Sequence, residues 1–140
     1  MNHSPESVMR TWFDEVWNQG QESAIDRLFA PDAVAHGLGD APITGPEGFR
    51  GVFATFRGAF PDIRVDVERA ISTGDSVAVV VRVTGTHRGD TLGFAATDRS
   101  VDFHGMVMGT VTDGQLREGW NCFDFLTMYQ QLGVVKVPGQ

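Results

Sequence analysis

The chain has 140 residues, of which 41% are hydrophobic and 10% aromatic, and its formal net charge is −7. These values are typical of one globular domain over residues 1–140 and exclude a disordered chain. Nucleic-acid binding and attraction to anionic lipid both require clustered basic side chains, whereas the eleven Lys and Arg residues here are scattered. We therefore expect neither a nucleic acid nor a membrane as a partner.

Cysteine and glycine usage bears on compartment and cofactors. Cys122 is the single cysteine, which excludes an intramolecular disulfide. Because Cys and His do not recur at zinc-ligand spacing and no phosphate-binding Gly loop occurs, we expect no metal and no organic cofactor. No signal-peptide pattern and no run of 18 apolar residues is present, so a cytoplasmic protein is expected.

The chain begins with a helical pattern. Ser4 and Pro5 are predicted to be the N-cap and the first residue of a helix that ends at Gly20. Apolar residues recur along it at helical spacing: Val8, Met9, Trp12, Phe13, Val16 and Trp17.

Two further helices and a short strand are predicted before residue 62. One short helix runs over residues 22–29, and a brief strand follows at 33–36. Thr44 and Glu47 have the spacing of a capping box, which predicts the start of a third helix that stops at Pro61.

From residue 62 onward the hydrophobic period changes from that of a helix to two, which predicts strands. Two strands are predicted at 63–68 and 76–86. The dipeptide Asp113-Gly114 is a strong hairpin signal and predicts two more strands on its flanks. A short helix over 126–133 ends the pattern.

Helices first and antiparallel strands second indicate the α+β class. The expected architecture is a curved antiparallel sheet wrapped over the N-terminal helices, which forms a conical cavity. Cavities of this kind hold small ligands.

The hairpin places His104 and Glu118 on adjacent strands, and an imidazole near a carboxylate is suited to proton transfer. Glu118 alternates in phase with Trp120, so this strand face carries both acidic and apolar side chains, which is typical of a ligand cavity. The alternative is that this face contacts solvent or a second copy of the chain. His104 alternates in phase with Met106 and Met108, which suggests an adaptable apolar wall. A hydrogen-bonded core histidine is the alternative for His104.

Five other side chains are candidates for substrate contact. Arg82 is one, unless the alternating valines of its strand form the core face and leave it on the surface. Asn121 has the parity opposite to Glu118, so a bulge would be needed to bring both into one cavity. Asp124 is either catalytic or the cap of the last helix. His36 lies near the expected cavity mouth, and Trp17 is either core or cavity wall.

Segments along almost the whole chain resemble, in the expected order, the SnoaL-like polyketide cyclase family of the nuclear-transport-factor-two/ketosteroid-isomerase-like superfamily. The matching segments are 13–20 (FDEVWNQG), 28–37 (LFAPDAVAHG), 45–49 (GPEGF), 59–62 (AFPD), 85–89 (GTHRG) and 113–120 (DGQLREGW). This fold hosts several chemistries, so the resemblance specifies fold more sharply than function.

The resemblance implies ring closure by intramolecular aldol condensation without metal or organic cofactor. A cavity carboxylate acts as the acid–base group in these cyclases, with a His on the preceding strand, and the matching positions here are Glu118 and His104. This chain has Glu where the cyclases carry Asp. Epoxide hydrolases of the superfamily carry Arg-x-Asp where this chain has Arg82-Val83-Thr84, which argues against their reaction.

We therefore expect a cofactor-independent polyketide or ester cyclase-like enzyme that applies acid–base, aldol-type chemistry to a small hydrophobic, oxygenated substrate. An isomerase, hydroxylase or epoxide hydrolase on the same scaffold is the alternative within enzymes. A non-catalytic binder of a lipophilic small molecule is the alternative outside them. Back-to-back pairing of two sheets predicts a homodimer.

Overall fold

The computed structural model describes residues 3–136 and 138–139. Its helices are α1 (Pro5–Thr11), a π-helix (Trp12–Asn18), α2 (Ser23–Leu28), α3 (Gly45–Ala59) and α4 (Phe125–Gln131). Its strands are β1 (Phe29–His36), β2 (Ile43–Thr44), β3 (Arg64–Thr73), β4 (Ser76–Thr86), β5 (Ser100–Thr112) and β6 (Gln115–Phe123).

The six strands form one curved, unclosed sheet in the order β2-β1-β6-β5-β4-β3, and the predicted α+β class is confirmed. All neighbouring strands are antiparallel except β1 and β6, which run parallel. The antiparallel prediction therefore misses one pair, because β1 joins the sheet across a long sequence separation that no local pattern reveals. The predicted hairpin turn is present, with φ of 54° at Asp113 and 74° at Gly114, as a type I′ turn requires.

The first helix begins as predicted and then changes type. The Ser4 side chain accepts a hydrogen bond from the Ser7 N–H, and Pro5 occupies the first helical turn. From Trp12 the turns widen to a π-helix, in which residues five apart share a face. None of the helices in the described part of the chain combines the length and hydrophobicity that crossing a membrane requires.

The segment between the first helices and α3 differs from prediction at two points. Strand β1 begins at Phe29 rather than residue 33, so it passes through Pro31. The capping box is wrong: Thr44 makes no side-chain cap bond, and Glu47 pairs with Arg50 instead. Gly45 adopts φ of +70°, and a Cβ there would lie 2.9 Å from the Pro31 carbonyl oxygen, so α3 starts tight against β1.

Alternation along the sheet separates an inner face, which is covered by the helices, from an outer face. On β5 the inner residues are buried: Val101, Phe103, Gly105, Val107, Gly109 and Val111. The outer residues of the same strand are exposed: Asp102, His104, Met106 and Met108. The core therefore lies between the inner face and the helices.

A β-bulge on β6 resets this alternation. Leu116 pairs with Val111 and Glu118 pairs with Thr110, so Arg117 is an extra residue without its own partner. Leu116 therefore faces inward, whereas Glu118 faces outward. Beyond the bulge the inner positions of β6 are Gly119, Asn121 and Phe123, and the outer positions are Trp120 and Cys122.

Candidate ligand cavity

The inner face of the sheet and the helices enclose a cavity of about 770 Å³, counting the open solvent at its mouth. Helices contribute one wall, and β1, β3, β4, β5 and β6 contribute residues to the other. The lining residues are Met9, Trp12, Phe13, Trp17, Phe29, Ala35, Leu38, Phe49, Val52, Phe56, Ile63, Val65, Val83, Phe103, Val107, Leu116, Gly119, Asn121, Phe123 and Phe125.

The lining contains no ionisable side chain among the described residues, and seven of its twenty members are phenylalanines. Asn121 supplies the one side-chain amide of this lining. A charged ligand in such surroundings would lose its hydration without gaining a counter-charge, which is costly. The cavity is therefore suited to an uncharged, largely apolar molecule.

The Asn121 amide is held in place by the end of β1. Its Nδ2 donates to the backbone oxygen of His36 over 3.0 Å. Gly37, with φ of +87°, lets the two backbones approach: a Cβ on it would lie 2.0 Å from the Asn121 carbonyl oxygen. The second Nδ2 hydrogen and Oδ1 make no bond to the described residues, so both remain available to a ligand.

Trp17 lies in the cavity wall, which is one of the two interpretations that the sequence left open. It sits on the π-helix together with Trp12, five residues earlier, and both rings pack edge-on against Phe49. Neither indole N–H donates to an acceptor in the described part of the chain. Both tryptophans therefore offer an apolar surface and an unused donor.

Glu118 lies outside the cavity, contrary to expectation. Its Oε2 is 2.7 Å from Nε2 of His36 on the outer face, and the Glu118 side chain is 42% exposed. The His36 ring stacks on Trp120, with centroids 5.6 Å apart. The expected pocket position of Trp120 is therefore wrong, because the bulge turns this part of β6 away from the helices. The expected pocket position of His36 is wrong as well, because its side chain lies on the same outer face.

His104 also lies on the outer face, 56% exposed, with Nε2 3.0 Å from Oε1 of Glu68. Its strand position is six residues from Thr110, the partner of Glu118, which corresponds to about 20 Å along the strand. The predicted Glu118–His104 pair is wrong: the two residues share a face but have different partners. The reason is hairpin register, which pairs His104 with the end of β6 and not with its beginning.

Arg82, Met106 and Met108 complete the set of predicted residues that face outward. Met106 is 64% exposed and Met108 48% exposed. Arg82 forms a two-pronged ion pair with Asp102, in which hydrogen bonds from Arg82 lower the pKa of the Asp102 carboxyl. The valines alternating with Arg82 form the core face, which was the surface alternative considered for this residue.

Asp124 is the N-cap of α4. Its Oδ1 accepts from the Thr127 N–H at 3.0 Å and its Oδ2 from the Thr127 hydroxyl at 2.6 Å. These hydrogen bonds, the hydroxyl's first, lower the pKa of the Asp124 carboxyl. The capping alternative therefore describes this residue, and the cavity lining does not include it.

Most cavity-lining residues were not among the site residues predicted from the sequence. The signal that would have found them is the consistently apolar row on β5, in which Phe103 and Val107 alternate with charged or exposed residues. Tyr129 on α4 was missed as well, although it lines a groove just outside the cavity. Acid–base chemistry directs attention to the strand positions with polar side chains, whereas the cavity is lined by the alternate positions, which carry apolar side chains.

The part of the chain that the structure describes contains no group of three or more His, Cys, Asp or Glu residues placed to hold a metal ion.

Comparisons with known proteins agree with this architecture. The chain superposes with a TM-score of 0.80 on IdmH, a candidate polyketide cyclase from Streptomyces antibioticus, at 34% identity over 93% of this chain and 99% of that one. A candidate SnoaL-like polyketide cyclase from Jannaschia sp. CCS1 gives a TM-score of 0.84 at 25% identity, over 94% and 93% of the two chains.

A third structure, a protein of ketosteroid isomerase-like fold from Catenulispora acidiphila, gives a TM-score of 0.77 at 19% identity, over 96% and 99% of the chains. A similarity at this level of identity shows that the fold is shared and nothing more. None of the curated proteins is similar enough to count as a match. The family model for SnoaL-like polyketide cyclases matches residues 7–132. The chain therefore belongs to the SnoaL-like polyketide cyclase family, whose scaffold supports a cyclase-like or related enzyme.

Proposed function

We propose that this protein is a cyclase that binds an uncharged, oxygenated and mostly apolar chain in the helix-covered cavity and promotes its aldol-type ring closure. The main support for this proposal is the cavity lining, which combines apolar walls with the single anchored amide of Asn121. Confinement brings the two reacting carbons together, and holding reactants in a reactive geometry is among the largest contributions to catalysis.

Asn121 is the proposed catalytic residue. Its free N–H donates to the carbonyl oxygen that becomes negative as the carbon–carbon bond forms, and such donors act most strongly in a dry site. Its Oδ1 accepts from the hydroxyl of the enol that attacks. The bond to the His36 carbonyl fixes the amide before the substrate arrives, so no reorganisation is needed during the reaction.

Because the described lining has no ionisable group, no side chain takes up or supplies a proton during the reaction. The enol carbon forms the new bond to the carbonyl carbon, the enol hydroxyl loses its proton, and the carbonyl oxygen gains one. No net proton is consumed. The substrate must therefore enolise by itself, which restricts it to chains with an acidic C–H between two carbonyl groups.

The test uses a linear diketo thioester of N-acetylcysteamine as the probe and follows ring formation by mass spectrometry. We expect Asn121→Leu to lower the turnover about a hundredfold, as for loss of an oxyanion donor. Cys122→Ser changes the neighbouring, outward-facing residue and should retain the parent rate. A parent-like rate for Asn121→Leu would overturn the proposed role of the amide.

The same lining favours a second candidate, a non-catalytic binder, because a purely apolar wall is sufficient for binding. The two candidates differ in one result. A parent protein that binds the probe thioester but leaves its cyclisation rate unchanged would establish the binder instead of the cyclase.

We also propose that the outer face pairs with a second copy of this chain. Large apolar side chains are exposed across it: Ile71, Met106, Met108 and Trp120. Some charged residues of this face pair within one protomer, namely Arg82 with Asp102 and His36 with Glu118. A two-fold contact of the face with itself would bring the exposed apolar side chains of one copy, the outer apolar band, onto those of the other.

Light scattering tests the dimer. We expect about twice the 15.3 kDa of one chain for the parent protein. A mass of one chain for the parent at micromolar concentration would contradict the dimer and leave the cavity proposal unaffected.

A further inference from the structure

A shallow groove opens directly outside the cavity. It holds about 680 Å³ of empty space, counting open solvent, and three residues line both spaces: Leu38, Phe56 and Phe125. Unlike the cavity lining, the groove includes three hydroxyl-bearing residues, Thr55, Thr91 and Tyr129. A ligand that fills the cavity and extends outward therefore passes from apolar walls to a polar but uncharged rim.

The loop side of this groove is fastened to α3. The Thr91 hydroxyl donates to the Thr55 carbonyl oxygen at 2.6 Å, so its hydrogen is already used. The Arg88 N–H donates to the Ala59 carbonyl oxygen at 2.9 Å. Gly89 packs so closely that a Cβ on it would lie 1.9 Å from the Gly58 carbonyl oxygen. The groove is therefore a built feature of the fold and not the accidental gap of a loose loop.

Tyr129 faces this loop from α4. Its ring packs against Phe94, with centroids 6.4 Å apart, and its carbonyl oxygen accepts from the Val134 N–H at 3.1 Å. Its hydroxyl forms no hydrogen bond with the described residues and is not sealed from solvent. The ring is thus positioned by packing, whereas the hydroxyl is left for another partner.

We propose that Tyr129 is a specificity-determining residue that binds a further oxygen at the outer end of the ligand, while the mostly apolar, reacting part occupies the cavity. This inference rests on the proposed function and extends it, because it sets the ligand's length and the place of its polar end. The ligand class is an elongated neutral molecule with an ester or ketone oxygen far from its apolar terminus. The Tyr129 hydroxyl donates to that oxygen.

The experiment compares the parent with Tyr129→Phe, which removes the hydroxyl and keeps the ring. The probes are methyl phenylpropanoate, methyl phenylhexanoate and methyl phenylnonanoate, with phenylhexane as the hydrocarbon without an acceptor. Dissociation constants are measured by calorimetry. We expect Tyr129→Phe to weaken the best-fitting ester about three- to tenfold, the effect of one hydrogen bond, and to leave phenylhexane unchanged.

Chain length separates binding from a merely structural role. The hydroxyl effect should be present for the esters whose carbonyl reaches the groove and absent for methyl phenylpropanoate, whose carbonyl is separated from the ring by only two methylene groups. Thr110→Val removes a hydroxyl on the far side of the sheet and should alter no affinity. A loss of equal size for every probe, phenylhexane included, would mean a packing change and overturn the proposal.

The outcomes also distinguish this inference from the proposed function. If the parent binds none of the probes, including phenylhexane, the apolar-ligand cavity itself is wrong. If the parent binds phenylhexane and the esters and Tyr129→Phe matches it throughout, the cavity stands and the role of Tyr129 is wrong.

Discussion

The inner and outer faces of one sheet carry opposite chemistry in this protein. The inner face is apolar and bounds the cavity, with Asn121 as the polar side chain that lines it. The outer face carries the two ionisable residues that the sequence favours as an acid–base pair, His104 and Glu118, each paired with a neighbour on that face. Residues that look reactive in sequence therefore identify a site only after the face on which they lie is known.

On β6, the assignment of residues to the two faces depends on a single inserted residue. Without the bulge at Arg117, strict alternation would put Leu116 and Glu118 on the same side, which is the assumption behind a cavity-facing Glu118. With the bulge, the same strand sends Leu116 inward and Glu118 outward.

The largest effect should follow from removing one residue of β6. Loss of Gly119 would reverse the faces of the residues beyond it and send the Trp120 side chain inward at the position of Gly119, so we expect no cooperatively folded protein. Loss of Arg117 instead removes the bulge residue and keeps the pairing of Glu118 with Thr110. Because Arg117 hydrogen-bonds Thr112, its loss should cost about 1–2 kcal/mol.

Urea unfolding monitored by circular dichroism distinguishes these two deletions. Equal destabilisation of both variants would contradict the assignment of the bulge to Arg117.

A charge introduced on adjacent residues of β5 should produce two different failures. Val107 is 6% exposed and lines the cavity, so Val107→Asp buries a carboxylate and should lower the unfolding free energy by about 4 kcal/mol. Met108→Asp places the charge in the outer apolar band, so the protomer should stay folded while the proposed dimer dissociates. Urea unfolding measures the first effect and light scattering the second. If Val107→Asp only dissociated the dimer and Met108→Asp only destabilised the fold, the assignment of the two faces would be wrong.

The smallest effect concerns Asp124, which is the N-cap of α4 and belongs to neither face of the sheet. Hydrogen bonds from Thr127 lower its pKa in the folded chain, so its stabilising contribution exists above the unfolded pKa of about 3.9. That contribution is lost as the pH falls through the lower, folded value. Asp124→Asn should therefore lower the melting temperature slightly at neutral pH, and the deficit should shrink in acid. A deficit that grows in acid would contradict the capping role.

The elements of this fold were largely predictable from sequence because they depend on local patterns. The Ser4 cap, the apolar helix faces and the Asp113-Gly114 turn all act over a few residues. The π-helix at Trp12 and the parallel pairing of β1 with β6 were not predictable, since each depends on packing between distant segments.

The candidate site was less predictable than the fold. Alternation correctly grouped His104 with Met106 and Met108, but it could not say which group faces the helices. The alternating valines beside Arg82 carried that information, since a row of four branched apolar residues is a core face. The bulge has no sequence signature here, so the side on which Asn121 would lie required the structure.

In the proposed mechanism, the chemistry uses the uncharged inner face and no ionisable group of the outer face. The direct test is the ratio of protein-promoted to spontaneous cyclisation of the diketo thioester from about pH 5 to about pH 9, in the parent, Glu118→Gln and His104→Gln, the range in which His and perturbed carboxyl groups titrate. We predict a ratio that is constant within about threefold and is shared by all three proteins. A ratio in the parent that follows a titration curve and collapses in Glu118→Gln would contradict the account and return catalysis to the outer face.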